Sequence, residues 1–423
     1  MNYRDILIDS FRAAVAAADP ARIVPAFLPT APKGRTLVVG AGKAAAAMAA
    51  AVEQHWPRDS ALSGTVITRY GHSLPTKRIR VVEAGHPVPD TAGEAASAEI
   101  LQQVQSLGPD DLLLALISGG GSSLLSLPSA GITMSDLKNV TQQLLRSGAA
   151  IQEMNTVRKH LSLIQGGQLA AASPAPVHAL IISDVTGDDP THIASGPCAP
   201  DPTRFQDALE ILERYDVHPG KAVMRHLIDG ANGVIAETPK PGDPLFKRVV
   251  NSVIASAHDS LLSAAAFLEK RGIPAVILGD TVTGEAREVA KPYAALVRQI
   301  RRHQLPWSPP VALLSGGECT VTVKDNGHGG RCTEFLLSLS IELGESGDVW
   351  AIACDTDGID GSEDNAGAVL TPDTIPSLLT QKMSPKKLLA QNNAWTAFHA
   401  TNDLVITGPT RTNVNDYRAI LIT

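Results

Sequence analysis

Residues 112–125 read Leu-Leu-Leu-Ala-Leu-Ile-Ser-Gly-Gly-Gly-Ser-Ser-Leu-Leu, an apolar run that stops in a serine- and glycine-rich turn. A run apolar at every position, not every second one, marks a strand buried on both faces, as parallel sheets covered by helices require. The pattern recurs along the chain. Thr36–Val39 runs into Gly40-Ala41-Gly42-Lys43, and Val177–Ile182 into Ser183-Asp184-Val185-Thr186-Gly187-Asp188-Asp189-Pro190. Val311–Leu314 runs into Ser315-Gly316-Gly317-Glu318, and Val349–Ala353 into the acidic stretch Asp355–Gly361. Further strands are expected at Thr65–Thr68, Arg80–Glu83, Val253–Ser256, Ala275–Leu278 and Leu404–Thr407. Between them, Glu94–Leu107 and Asp259–Arg271 place apolar residues on one helical face. This alternation predicts an α/β fold of parallel, doubly wound sheets, with ligands beyond the C-terminal strand ends.

The chain has 423 residues, too many for one ordinary core. The Pro/Gly-rich stretch Glu237–Pro244 is the best linker, dividing the chain into residues 1–240 and 241–423. A second proline-rich stretch, Pro306–Pro310, leads into the strand at Val311. Aromatics make up only 4%, so helices must pack on sheets through small side chains. A net charge of −7 argues against a nucleic-acid partner. Four scattered cysteines with no C-x-x-C pair argue against zinc and disulfides and fit a reducing cytoplasm. Arg4, Asp5 and Asp9 precede any apolar run, unlike a secretory signal. The longest apolar stretch, Ala44–Val52, is far short of a membrane span. A soluble cytoplasmic protein is expected, with a homodimer as its candidate assembly.

Three glycines, Gly119, Gly120 and Gly121, let successive backbone N–H groups converge on an anion, and Ser122 and Ser123 add hydroxyls. A bare Gly-Gly-Gly is more often a simple turn; after a buried strand and beside serines, phosphate binding is the better reading. Gly40-x-Gly42-x-x-Ala45 resembles a dinucleotide fingerprint, but no acid follows the next strand to hold a ribose. Arg69 stands there instead and would suit a 2′-phosphate. Lys43, at a helix start, is suited to phosphate or carboxylate oxygens, although most lysines are only surface charges. The surplus of Asp184, Asp188, Asp189, Glu318, Asp355 and Asp357 suggests Mg²⁺ on a nucleotide, which needs one or two carboxylates. Most Asp-Gly pairs merely shape turns, and Ile359 breaks an EF-hand pattern. Arg331 follows Gly329-Gly330 and opens a helix over Glu334–Leu343, suited to bidentate phosphate contact. Asn155–His160 is a further polar cluster, either ligand-facing or simply exposed helix charge. Walker A, G-x-S-x-G and H-E-x-x-H motifs are absent.

At these residues the chain resembles the class II glycerate 2-kinases, whose C-terminal part carries the domain called multi-organism fragment with rich leucine. The matching stretches are VVGAGKAAAAMA (38–49), LISGGGSSLL (116–125), MNTVRKHLSLIQGGQLA (154–170), ISDVTGDDPTHIASGP (182–197), LLSGGECTV (313–321), GHGGRCTEF (327–335) and DTDGIDGSEDNAGA (355–368). The resemblance implies two α/β domains, the larger Rossmann-like with a mainly parallel sheet, and an active site in the cleft between them. It also implies transfer of the ATP γ-phosphoryl group to D-glycerate, with catalytic residues at Lys43, Asp189 and Arg331. Asp189 would orient or deprotonate the 2-hydroxyl, and Lys43 and Arg331 would stabilise the transferring group. Gly119–Ser122 with Gly316 and Gly317 would cradle ATP phosphates, and Glu318 or Asp355 would reach Mg²⁺. Members have often been labelled hydroxypyruvate reductases, so an NAD(P)H-dependent reductase is the main alternative. A non-catalytic sugar-acid or nucleotide sensor is another.

Overall fold

The computed structural model describes residues 2–344 and 347–423. The chain forms two compact units, Pro20–Ile254 and Met1–Asp19 with Ala255–Thr423. These differ from a division at 240/241: the N-terminal helix belongs with the C-terminal part, and Glu237–Pro244 is fastened into the first unit. There Thr238 is buried and donates to Asp201, whose own N–H donates to the Pro239 carbonyl at 2.8 Å.

The unit Pro20–Ile254 is built on a six-stranded sheet: β1 (Thr36–Ala41), β2 (Leu62–Arg69), β3 (Ile79–Ala84), β4 (Leu112–Ile117), β5 (Val177–Ile182) and β6 (Val249–Ala255). The spatial order is β3-β2-β1-β4-β5-β6. The pairs from β3 through to β5 are all parallel. Strands β1 and β4 are buried at every residue, as their unbroken apolar runs require. Val39, Ile117 and Ala179 share one core with Ile100 and Val104 of the helix Thr91–Gln105. A separate helical core joins Leu137, Val157, Ile211 and Leu227. Order 3-2-1-4-5-6 is that of dinucleotide-binding α/β folds, and it reverses between β1 and β4, where such folds bind ligands.

The second unit has six strands: β7 (Ala275–Gly279), β8 (Val311–Ser315), β9 (Val349–Asp355), β10 (Gly367–Leu370), β11 (Leu404–Val405) and β12 (Asp416–Ile422). Their order is β11-β10-β9-β12-β8-β7. Only β7 and β8 pair in parallel; the other pairs are antiparallel. The expectation of parallel sheets throughout therefore fails here. The last strand, β12, inserts between β8 and β9 and runs against both. Alternate residues face opposite cores: Leu313, Ala351 and Ile420 meet Phe335 and Val297, whereas Leu314, Ile352 and Ala419 meet Leu7, Phe11 and Leu261. Strands β10 and β12 went unpredicted, and β11 is shorter than expected. No helix among the described residues is long and apolar enough to cross a membrane. All four cysteines are buried free thiols.

Candidate active site

The reversal point of the first sheet is closed by hydrogen bonds between the loops leaving β1 and β4. The Lys43 N–H donates to the Gly119 carbonyl at 2.8 Å, and the Ala44 N–H to Ser118 Oγ at 3.0 Å. Gly42 is needed for this approach, since a Cβ there would lie 2.1 Å from Ser118 Oγ. Gly120 has φ 81°, a left-handed turn that glycine adopts without strain. The chain after the turn forms a single helical turn, Gly121–Leu124. Ser123 Oγ closes it by donating to the Gly120 carbonyl at 3.1 Å. Ser122 Oγ lies 2.9 Å from Ser195 Oγ, which donates to Asn155 Oδ1 at 3.3 Å. Ala194, Ser195 and Gly196 all have positive φ. Two non-glycine residues held in this region indicate strain supported by the surroundings. Lys43 is half-buried, with its aliphatic Cγ 3.6 Å from where a Gly120 Cβ would stand.

Asp189 follows β5, two strands along from β1. It is exposed, and its carboxylate accepts the Thr191 N–H at 3.1 Å. A cavity of about 410 Å³ opens beside it, lined by Pro190, Thr191, Pro200 and Asn251 among others. Below lies Lys159, fully buried, whose Nζ donates to Thr191 Oγ1 at 2.8 Å and pairs with Asp201 at 3.3 Å. Burial lowers the Lys159 pKa, and Asp201 and Asp189 oppose that shift. Asn155–Lys159 is thus the end of the helix Ile151–Lys159 and not an exposed charged face.

In the second unit, Arg331 is the first residue of the helix Arg331–Leu343, three residues before the expected start. Its guanidinium is held by three carboxylates: Asp355 at 2.5 Å, Asp416 at 2.8 Å and Glu318 at 3.4 Å. Burial alone would lower its pKa, but Asp416, Asp355 and Glu318 raise it well above the ordinary value. The second Asp416 oxygen accepts from Arg418 at 2.6 Å, and Arg418 also donates to the Gly316 carbonyl at 2.9 Å. Asp416 and Arg418 were missed in the sequence. The available signal was a charged pair at period two in the apolar strand Asp416–Ile422. The Gly316 N–H is occupied by the Gly279 carbonyl at 2.9 Å. Gly317, with φ 92°, packs so tightly that a Cβ would lie 2.3 Å from the Val282 nitrogen. Asp360 anchors the helix start, accepting from the N–H groups of Cys332 and Thr333 and from Thr333 Oγ1, each at 2.9 Å. No group of three or more metal-ligating side chains occurs among the described residues.

Residues 6–228 match the model of a domain of unknown function (DUF4147), and residues 311–416 match the MOFRL family. A D-glycerate 2-kinase of Thermotoga maritima is 37% identical over 415 residues, 98% of this chain and 97% of that protein. The crystal structure of a glycerate kinase from Thermotoga maritima matches with a TM-score of 0.88 at 36% identity, covering 100% of this chain and 99% of that one. The chain belongs to the glycerate 2-kinase family. Lys43, Gly119–Ser122 and Asp189 lie in the first matched region, and Arg331, Glu318, Gly316, Gly317 and Asp355 in the second. Another relative, a putative hydroxypyruvate reductase of Agrobacterium vitis, is 50% identical over 422 residues, covering 99% of this chain and 94% of that protein. In this chain, the position at the tip of β2 where a dinucleotide site keeps its ribose-binding acid is occupied by Arg69.

Proposed function

We propose that the protein transfers the γ-phosphoryl group of ATP to the 2-hydroxyl of D-glycerate. The observation that carries this reading is the reversal point of the first sheet, where a cation, Lys43, stands beside a glycine turn and Arg69 takes the place of a ribose-binding acid. Phosphoryl transfer needs charge neutralisation and in-line positioning more than covalent chemistry. Lys43 and Arg331 are suited to stabilising the transferring group, and Gly119–Ser122 to holding phosphate oxygens. Gly317 is the better backbone donor at the β8 loop, because the Gly316 N–H is already bonded. Asp189, exposed beside a cavity, is suited to orienting the 2-hydroxyl and receiving its proton.

Glu318 and Asp355 fit a divalent cation by donor chemistry. Both carboxylates pair with the Arg331 guanidinium, on different nitrogens, and Mg²⁺ takes one or two carboxylates with phosphate oxygens. When bound, Mg²⁺ would neutralise phosphate charge there.

The name of the Agrobacterium vitis relative and the dinucleotide-type strand order favour a second reading, NAD(P)H-dependent reduction of hydroxypyruvate. One pair of assays separates the two. The kinase reading expects ADP release that requires D-glycerate and is abolished by excess chelator. Oxidation of NADH or NADPH with hydroxypyruvate, without glycerate-dependent ADP release, would replace it by the reductase.

A further inference from the structure

Strands β3 and β2 of the first sheet end together, and the neighbouring β1 and β4 end together two residues short of Arg69. Arg69 pairs with Ala84, and Ala41 with both Ile67 and Ile117. His86, Lys43 and Gly119 each stand two residues beyond their strand's end, beside Arg69 at the tip of β2. The turn after β2 adds His72, a buried residue whose N–H donates to the Arg69 carbonyl at 3.1 Å. His86 and Lys43 meet at the glycine turn: a Cβ on Gly120 would lie 2.8 Å from His86 Nε2 and 3.6 Å from Lys43 Cγ, and the charges of Arg69 and His72 act on the same imidazole. The N–H groups of Gly119 and Gly120 donate to no acceptor among the described residues, although Gly119 is buried. Buried amides without partners are rare, and adjacent ones facing cations form an anion-binding concavity.

We propose that His86, with Lys43, Arg69 and His72, walls an anion well over the Gly119–Gly121 turn, and that its imidazole hydrogen-bonds the bound anion. The well takes a singly or doubly charged oxyanion, a nucleotide phosphoryl group or the glycerate carboxylate. That choice of ligands rests on the kinase reading; the well itself does not.

The electrostatics agree with the geometry. Burial, then Lys43, Arg69 and His72, hold the His86 pKa down to about 4, so the ring is neutral at pH 7. The acids on adjoining segments are committed elsewhere. Glu83 accepts the N–H groups of Gly71 and Ser73, and Asp90 accepts the Gly93 N–H and the Tyr70 hydroxyl. An anion among these bases reverses the local field and raises the His86 pKa toward the ordinary range. Binding then draws a proton onto His86, and by linkage affinity rises as pH falls.

The test titrates inorganic phosphate, ADP and D-glycerate calorimetrically, at pH 6 and pH 8 and in buffers of different ionisation heat. The wild type should bind phosphate with proton uptake, more tightly at pH 6. His86→Ala should lose at least about tenfold in phosphate affinity, the range for a hydrogen bond to a charged group. His86→Gln, which keeps an uncharged donor, should retain most of the pH 8 affinity and lose the proton uptake. Whichever of ADP and D-glycerate weakens in parallel with phosphate is the ligand of the well. Wild-type protein that does not bind phosphate, or folded His86→Ala with unchanged phosphate affinity, would overturn the proposal. Wild-type protein that binds phosphate as expected but makes no phosphoglycerate would instead overturn the kinase reading and leave the well standing.

Discussion

Lys43 and Asp189 are assigned different parts in the proposed transfer, so their variants should fail differently. The Lys43 N–H holds the β1 loop to the Gly119 carbonyl, a bond that alanine keeps, so Lys43→Ala removes the ammonium and little else. We expect kcat/KM to fall at least about a hundredfold, roughly 2.7 kcal/mol of transition-state stabilisation. The melting temperature should be nearly unchanged; a collapse of both would make Lys43 structural. Asp189→Asn keeps the size and the acceptor for the Thr191 N–H but removes the base. If Asp189 receives or orients the substrate proton, kcat should drop roughly 10²–10⁴-fold with little change in nucleotide affinity. A defect relieved by excess Mg²⁺ would make it a metal ligand, and near-wild-type turnover would reduce it to a turn residue. Steady-state kinetics across Mg²⁺ concentrations separate these outcomes. The loops that hold both residues were legible in the sequence, because a polar loop after a buried strand is a local pattern. Lys159 was not. Its charge reads as helix surface until Asp201 and Thr191, distant in sequence, close over it.

The helix Arg331–Leu343 shows how an element sets a site. Its first turn is anchored by Asp360, fully buried, and Gly330 is required because a Cβ there would lie 2.3 Å from Asp360 Oδ1. Burial outweighs the three hydrogen bonds and raises the Asp360 pKa from 3.8 to about 6. The protonated acid is therefore favoured in the folded state. Its contribution is complete below pH 3.8 and is lost as pH rises through about 6, a change on the order of 2–3 kcal/mol. Asp360→Asn cannot titrate. Its stability relative to wild type should therefore improve by that order between pH 4 and pH 7, measured by denaturant unfolding; a pH-independent difference would show that the carboxyl is ionised throughout. Among strands, the local signal worked where an apolar run passes into a polar loop: β1, β4 and β5 were each located to within two residues. It failed at β12, which places Asp416 and Arg418 in an apolar strand. Those charges are tolerable because they pair with each other and Asp416 also pairs with Arg331, a long-range partner that no short-range pattern reveals.

Across the molecule, the first sheet's parallel order could be anticipated, because strand–helix alternation in sequence becomes parallel adjacency in space. The second sheet's mixed order could not, since its centre is completed by the chain's last strand pairing with β8 and β9. The same long-range closure draws residues 1–19 into the C-terminal unit, where Leu7, Phe11 and Ala14 pack on Leu261 and Leu268. The glycine turns, Lys43, Asp189 and Arg331 were visible as motifs; Asp416, Arg418 and His86 emerged only from the fold. The central claim is the transfer of a phosphoryl group to one particular hydroxyl. It is tested most directly by incubating the protein with ATP, Mg²⁺ and D-glycerate and locating the phosphorus by ³¹P–¹³C coupling in the product. The account predicts phosphorus on C2; phosphorus on C3, or unreacted glycerate beside intact ATP, would contradict it.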